Sequence, residues 1–410
     1  MHLSKREPDV SVLLPVFNGE RYLSAAIDSV LRQSHRNLEL ILVDDASTDG
    51  TAEIIRCQTD ARIRPIRQPE NGGVVKALNT ALQRAKGRYI ARIDTDDLWR
   101  PEKLARQLEL LRARPEIALC GCFYTQIDAL GRLIREVELP VSPEENYLQL
   151  FVRNTFVHSG VVFNAQVVRD LGGYSPDWLH IEDYALWLAI AETYPVCNMP
   201  ESLLSYRIHD QSISSENASW QQQSVLKLRR LALQRCGISV SDALLQRIGR
   251  GSVPVALQPE LKQVLDHILA HAPALLERRK LRELCQQQEQ ALVGGVPPFL
   301  RQRLFALLKG LTAQRVAFYA AGSFAETLLD CLDEQGLPYP QVMFDQFPER
   351  SPVTRVPVDR IENLPAYGIE TLLITHEQLH AALLRELRGN AVCQGVEIVD
   401  PWVDDTAAQQ

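Results

Sequence analysis

The sequence has no cysteine pair at CxxC spacing and no dense cysteine framework. Cys57, Cys120, Cys122, Cys197, Cys236, Cys285, Cys331 and Cys393 are scattered along 410 residues. This excludes a disulfide-stapled scaffold and fits reduced thiols in a cytoplasm. Cys120 and Cys122 alternate within a strand-like run, so both should face one side as buried thiols. No stretch approaches the roughly eighteen uninterrupted apolar residues of a membrane span. No apolar segment follows the charged start Met1 to Asp9, so no signal peptide is expected. Positive charge is not in excess: the net charge is -7 with a pI near 5.8. Nucleic acid is therefore not the expected partner. There is no internal repeat and no low-complexity tract. Asn217-Ala218-Ser219 fits a glycosylation sequon, which carries no meaning in a cytoplasmic chain.

What is present is apolar residues enough for real cores, 46% of the chain, over a length that predicts two or three domains. The first hundred residues alternate short apolar strands with amphipathic helices. Strands are expected at Val10 to Val16, Leu38 to Val43, Ile63 to Arg67 and Tyr89 to Ile93. Helices are expected at Arg21 to Gln33, Thr51 to Cys57, Gly73 to Ala85 and Glu102 to Arg112. This rhythm predicts parallel βαβ units. Polar clusters fall where the strands end: Asn18-Gly19, Asp44-Asp45, Asn71-Gly72 and Asp94 to Asp97. Ligands of open parallel sheets bind beyond those ends. From Ile117 to about Ile208 a mixed half follows, with strands at Ile117 to Phe123, Val157 to Phe163 and Leu203 to Ile208 and a helix over Asp183 to Ala191.

The run Arg92-Ile93-Asp94-Thr95-Asp96-Asp97 places three carboxylates within four positions directly after a strand. Like charges this close raise one another's pKa, and a divalent cation removes that cost. Hard oxygen ligands suit Mg2+ or Mn2+ holding a diphosphate. The local alternative is a loop whose aspartates cap the helix starting near Pro101.

Six motifs occur in order. They are Pro15-Val16-Phe17-Asn18, Val43 to Thr51 (VDDASTDGT), Asn71-Gly72-Gly73, Asp94-Thr95-Asp96-Asp97, Glu182 to Trp187 (EDYALW) and Tyr206-Arg207-Ile208-His209. Together they make residues 10 to 215 resemble an inverting family-2 glycosyltransferase of the GT-A fold. The resemblance implies a metal-dependent enzyme moving one sugar from a nucleotide-sugar donor, a UDP-sugar foremost. The acceptor would be a glycan or lipid-linked glycan of a bacterial surface polysaccharide. It implies a nucleotide site of Pro15, Phe17, Asn18, Asp45, Lys76, Asp94 and Asp96. There Asp45 accepts from the N3–H of uracil, Phe17 packs on the base and Asp94 meets the ribose. It implies a metal site of Asp96, Asp97 and His209, with Asp96 favoured as the ligand among the aspartates.

Asp183 matches the family's catalytic base, and Glu182 is the rival. Inversion needs only one carboxylate to take the acceptor's proton. His158 in His158-Ser159-Gly160, and Gly173 and Tyr174 in Gly172-Gly173-Tyr174, match positions near the donor sugar or acceptor; Trp178 can stack on a sugar face, and Glu182 is counted with this acceptor group. Each has a structural alternative. Asp44-Asp45 can form a turn, with Ser47, Thr48 or Asp49 capping the next helix. Phe17 can be core and Lys76 a surface lysine. Asp183 can cap its own helix. Trp178 can pack inside, and His158-Ser159-Gly160 and Gly172-Gly173-Tyr174 can be turn chemistry.

Three regions are expected: a GT-A domain over 1–215, a helical connection over 216–309 and a small Rossmann-like α/β domain over 310–410. The basic runs Leu226 to Leu231 and Leu276 to Leu281 read as solvated helix faces or as membrane-surface faces. Peripheral association with the inner membrane face is compatible with a lipid-linked acceptor. In the last region, strands are expected at Val316 to Tyr319, Val342 to Phe344, Thr371 to Ile374 and Val396 to Val399. Ala320-Ala321-Gly322-Ser323-Phe324-Ala325 is a poor dinucleotide fingerprint, and Asp345 lies near the ribose-acid position. The region reads as a degenerate structural or docking module, with a second activity there as its alternative; the rivals to a single transferase are a scaffold that binds sugar nucleotides without catalysis and a bifunctional enzyme. The oligomeric state is not legible.

Overall fold

A computed structural model describes residues 7–208, 218–250, 253, 257–294, 316–319, 329, 332, 339–344, 356–374, 387 and 391–399. The chain divides into two compact units. The first is Met1–Ser239 with Asp266–Cys285, and the second is Val240–Leu265 with Gln286–Gln410.

The first unit opens with β1 (Val10–Val16), α1 (Leu23–Leu31), β2 (Leu38–Asp44), α2 (Thr51–Arg56), β3 (Ile63–Arg67), α3 (Gly73–Arg84) and β4 (Tyr89–Arg92). Every residue of β1, β2 and β4 is buried. Such continuous burial is the signature of parallel strands covered on both faces. On α1, Leu23, Ala26, Ile27 and Val30 are sealed against the sheet. Each large aliphatic there contributes about 1.5–3 kcal/mol by leaving water. β5 (Leu98–Trp99), α4 (Lys103–Ala113), β6 (Leu119–Ile127), β7 (Leu133–Val137), α5 (Pro143–Leu150), β8 (Val162–Asn164), α6 (Ala165–Asp170), α7 (Glu182–Ala191) and β9 (Val196–Arg207) complete this sheet and its cover.

The strand order is β3-β2-β1-β4-β8-β6-β9-β5, with β7 on β6. The pairs β1–β2, β2–β3 and β1–β4 are parallel, whereas β8 runs antiparallel to both β4 and β6. The chain winds outward from β1 to β3 and then crosses back to β4 on the other side of β1. That reversal opens a crevice at the carboxyl ends of β1 and β4, where α/β sheets bind ligands.

The sequence expectations differ from the fold in a few places. Val157 to Phe163 is not one strand: a 3-10 turn at His158–Gly160 precedes β8. β9 is longer than Leu203 to Ile208 because it pairs along most of β6. β7 and α5 lacked a periodic signal. β7 is largely exposed, and α5 is fixed by a Ser142–Glu145 capping box. The basic runs are partly packed: Arg229 is buried against the Tyr184 hydroxyl, and Lys280 lies 3.3 Å from Glu144. Cys120 and Cys122 are buried thiols, as expected.

The second unit carries a parallel sheet of β10 (Val316–Tyr319), β11 (Val342–Phe344), β12 (Val358–Asp359), β13 (Thr371–Ile374) and β14 (Glu397–Val399), in the order β12-β11-β10-β13-β14. This is a Rossmann-like sheet around its own core of Ala317, Val342, Phe344, Leu364 and Leu372. β12 escaped the sequence reading because it is only two residues long. Ala320 to Ala325 and Asp345 lie outside the described residues.

At the edge of the first sheet opposite the crevice, Ser11 Oγ donates to Glu39 Oε1 at 2.7 Å and accepts from the Gly87 amide at 2.8 Å. A Cβ on Gly87 would stand 2.5 Å from the Ser11 backbone nitrogen and 2.7 Å from the Val10 carbonyl carbon. Backbone cannot yield as a side chain can. Gly87→Ala is therefore expected to cost about 2 kcal/mol, read as a drop of several degrees in the thermal unfolding midpoint. An unchanged midpoint would refute the close approach.

Candidate active site

The crevice is built from four loops. After β1, Asn18 takes a left-handed φ of 51°, a conformation asparagine tolerates. Its amide donates to Ser47 Oγ at 3.0 Å, and its Oδ1 accepts from the Thr48 amide at 2.9 Å. The ends of β1 and β2 are thereby tied together. Pro15 is buried within β1 opposite Val43, whereas Phe17 is 50% exposed at the mouth and is not core.

Asp44 and Asp45 divide the labour expected of them jointly. Asp44 forms the turn: its Oδ1 accepts from the Ser47 amide at 2.9 Å, and its Oδ2 pairs with Arg67 at 3.0 Å. Asp45 is buried, and its two oxygens accept from the Gly72 and Gly73 amides at 2.9 and 2.7 Å. Its charge thus sits at the amino end of α3, where the helix dipole favours it. Gly73 has φ +81°, which only glycine adopts at little cost. Asp49 Oδ1 accepts from the Thr51 amide at 3.0 Å, a turn just before α2, whose N-cap is Gly50 and carries no side-chain cap bond. Lys76 folds over Gly72, lies 3.6 Å from Glu70 and borders a cavity of about 410 Å³ with Val75, Asn79, Pro176 and Leu179.

The acidic run follows β4. One oxygen from each of Asp94, Asp96 and Asp97 lies within 4.8 Å of the others. Asp94 is paired through both oxygens with the buried guanidinium of Arg92. Asp97 is fully buried; its Oδ1 accepts from the Arg207 amide at 2.9 Å, and its Oδ2 has no hydrogen-bond partner. Burial, with the charges of Asp96 and Asp94 added, holds the Asp97 carboxyl well above the usual carboxylate range. A sealed carboxylate oxygen beside two further carboxylates fits a hard divalent cation, which would satisfy the oxygen and cancel the repulsion.

Arg207 was missed as a site residue. It lies inside the Tyr206 to His209 motif, yet nothing in the sequence distinguishes it from a surface arginine. In the fold it is buried at 6% exposure. Its Nε donates to the Asp96 carbonyl at 2.8 Å and its NH1 to the Asp128 carbonyl at 3.0 Å. Its guanidinium stacks 4.6 Å from the Tyr22 ring centroid. His209 lies outside the described residues.

The third wall is α7. Asp183 does not cap this helix: the N-cap is Ile181 and makes no side-chain cap bond. Asp183 is partly buried and accepts from Asn154 Nδ2 at 3.0 Å and from the Tyr184 amide at 2.6 Å. Burial raises its pKa, with the Tyr184 amide, Arg92 and Asn154 opposing. Glu182 is 7% exposed with no partner for Oε2, and burial together with the Asp183 charge pushes it up to about 7. His158 Nε2 is 2.9 Å from the Tyr174 hydroxyl. Burial, with Arg92 assisting, keeps the imidazole neutral by holding its pKa well below the ordinary value. Tyr174 is buried and clasped through its backbone by Asn79. Gly173, at φ +81°, passes so close to Asn79 that a Cβ would meet Oδ1 at 2.6 Å. Trp178 is half-buried, with Lys227 Nζ 5.5 Å from its ring centroid. The fields of Arg92 and Asp94 both reach Glu182 and Asp183, so the acidic run and the α7 carboxylates form one electrostatic site.

A family model described as Glycosyl transferase family 2 matches residues 11–172. TuaG of Bacillus subtilis, a glycosyltransferase named for teichuronic acid biosynthesis, is 34% identical over 215 residues, which are 51% of this chain and 82% of TuaG. The chain belongs to glycosyl transferase family 2. Two further glycosyltransferases are similar to the chain. The amylovoran biosynthesis glycosyltransferase AmsE of Erwinia amylovora is 30% identical over 54% of this chain and 85% of its own. The UDP-Glc:alpha-D-GlcNAc-diphosphoundecaprenol beta-1,3-glucosyltransferase WfaP of Escherichia coli is 31% identical over 50% of this chain and 80% of its own. The protein is thus a glycosyltransferase, and the relatives account for about half of it.

The raised Glu182 carboxyl has a stability consequence. An unfolded glutamate ionises near 4.5, and the folded one near 7. Between those values the folded state keeps a proton that the unfolded state has lost, so stability falls as pH rises through the window. Above it the full penalty remains, on the order of 3 kcal/mol. Glu182→Gln removes the ionisation. It is expected to raise the unfolding midpoint at pH 8 and to give a gain that fades towards pH 4. Equal gains at both pH values would show that packing, not charge, is responsible.

Proposed function

We propose that this family-2 enzyme transfers one sugar, with inversion, from a UDP-sugar to a lipid-linked glycan of a bacterial surface polysaccharide. Mg2+ or Mn2+ assists, and Asp183 is the base. The observation that carries the reading is the crevice itself: three clustered carboxylates after β4, a group that could hold a cation, share one electrostatic site with a partly buried carboxylate of raised pKa on α7. Support for the substrates comes from the relatives, since WfaP acts from UDP-Glc on a diphosphoundecaprenol-linked sugar and AmsE serves amylovoran synthesis.

The donor lies along the crevice, with the base against exposed Phe17 near Asp45, the ribose at Asp94 and the diphosphate towards Asp96 and Asp97. Lys76 reaches a phosphate, and Pro15 and Asn18 shape the base site. Asp96 and Asp97 with His209 would hold the cation, which would supply electrostatic stabilisation of the leaving diphosphate. The acceptor sugar sits among His158, Gly173, Tyr174, Trp178 and Glu182. Its hydroxyl oxygen attacks the anomeric carbon in line as its proton passes to the Asp183 carboxylate. The bond from that carbon to the phosphate oxygen breaks, and its electron pair leaves with the nucleoside diphosphate. Asn154 and the Tyr184 amide fix the carboxylate so that the reaction need not reorient it.

Among the described residues no helix is long and apolar enough to cross a membrane. The chain would meet its acceptor peripherally at the inner membrane face.

The test is sugar release from a panel of UDP-, GDP- and dTDP-sugars, with a polyprenyl-diphosphate glycan acceptor, in Mn2+ and in EDTA. Transfer is expected from one UDP-sugar only and is expected to stop in EDTA. Asp183→Asn should lose about 10²–10⁴-fold in kcat while still binding UDP. Full activity in Asp183→Asn would remove it as the base, and transfer from a GDP- or dTDP-sugar alone would overturn the donor assignment.

A further inference from the structure

Ser159 lies behind the acidic run and is completely buried. Its hydroxyl oxygen accepts from the Asp94 backbone amide at 2.9 Å and donates to Asp94 Oδ2 at 3.1 Å. Arg92 NH1 points at the same oxygen from 3.3 Å. A hydroxyl has one proton and two lone pairs: the lone pairs are spent on the Asp94 amide and Arg92, and the proton serves Asp94 while also acting on the neighbouring Asp97 carboxyl. The turn that carries Ser159 is itself pinned. Trp99 Nε1 donates to the Ser159 carbonyl at 2.7 Å, and Gln107 Nε2 donates to the Gly160 carbonyl at 2.8 Å. Gln107 Oε1 accepts from Lys103 Nζ at 2.8 Å, and that buried ammonium lies 4.1 Å from the Trp99 ring centroid.

We propose that Ser159 is a positioning residue for the donor site: its hydroxyl selects the one orientation of the Asp94 carboxylate that faces Asp96 and Asp97, and the Trp99, Gln107 and Lys103 brace holds that hydroxyl in place. The inference rests on the reading of the acidic run as the site of the metal–nucleotide complex. Asp94 is 37% exposed in its side chain. Arg92 alone binds it as a rigid fork, so without a second anchor the carboxylate follows the guanidinium. Ser159 supplies that anchor from a different strand connection, and it does so without adding charge. Outer partners that orient the carboxylates of metal sites are typically worth about 10–100-fold in affinity, and a loss of that order is expected for Asp94, the ribose contact beside Asp96 and Asp97.

The experiment is calorimetric titration of UDP into the full chain with saturating Mn2+, for wild type, Ser159→Ala, Ser159→Thr and Trp99→Phe, each with its unfolding midpoint. Ser159→Ala is expected to weaken UDP binding about tenfold or more. Ser159→Thr, which keeps the hydroxyl, should restore most of it. Trp99→Phe, which keeps a ring over Lys103 but loses the N–H, should fall between. Wild-type affinity in Ser159→Ala would overturn the proposal. So would equal weakening in the alanine and threonine variants, because side-chain volume and not the hydroxyl would then matter. Absence of Mn2+-dependent UDP binding in wild type itself would instead bring down the donor-site reading, and this inference with it.

Discussion

The crevice depends on one buried cation. Arg92 closes β4 with its guanidinium out of water, and it faces a site that carries five carboxyl groups on two separate segments: Asp94, Asp96, Asp97, Glu182 and Asp183. Its charge lowers the cost of ionising Glu182 and Asp183 and is shared directly with Asp94. Burial keeps His158 neutral, and the same charge adds to that effect. A buried arginine is tolerable only when paired and hydrogen-bonded, so Arg92 and the acidic run are mutually required. The carboxyl excess that Arg92 leaves is what a divalent cation would balance.

Backbone supports the rest. Arg207 spends its amide on Asp97 and its side chain on the carbonyls of Asp96 and Asp128, which joins the acidic run to the end of β6 and the loop that follows it. Asp45 plays the corresponding part on the other side by gripping the amides that open α3. Asp45 follows β2, the neighbour of β1, whereas Arg207 ends β9, which β8 and β6 separate from β4. The crevice is therefore a consequence of strand order, and its charges are arranged by contacts between chain ends far apart in sequence.

Much of this was legible. The apolar runs at Val10 to Val16 and Leu38 to Val43 are strands because continuous burial leaves a continuous apolar pattern. The crowded aspartates at 94, 96 and 97 stood out because local repulsion is a property of neighbours in sequence. Asp183 stood out through its motif. Ser159 and Arg207 did not, because their roles are hydrogen bonds to partners 65 and 110 residues away. Asp45 was read as a ligand to a base, whereas its visible partners are the amides of Gly72 and Gly73; each of its oxygens retains a lone pair for a further donor.

The sequence by itself determined the alternation of strands and helices, the placing of carboxylates where strands end, and the family to which the chain belongs. Periodicity and short motifs carry those facts, since both depend on residues close along the chain. Only the tertiary structure decided which aspartate is sealed from water, which carboxyl is pushed up to about 7 and which arginines are buried among them. Those properties follow from desolvation and from charges a few ångströms away, and the groups responsible come from segments that meet only when the sheet is assembled.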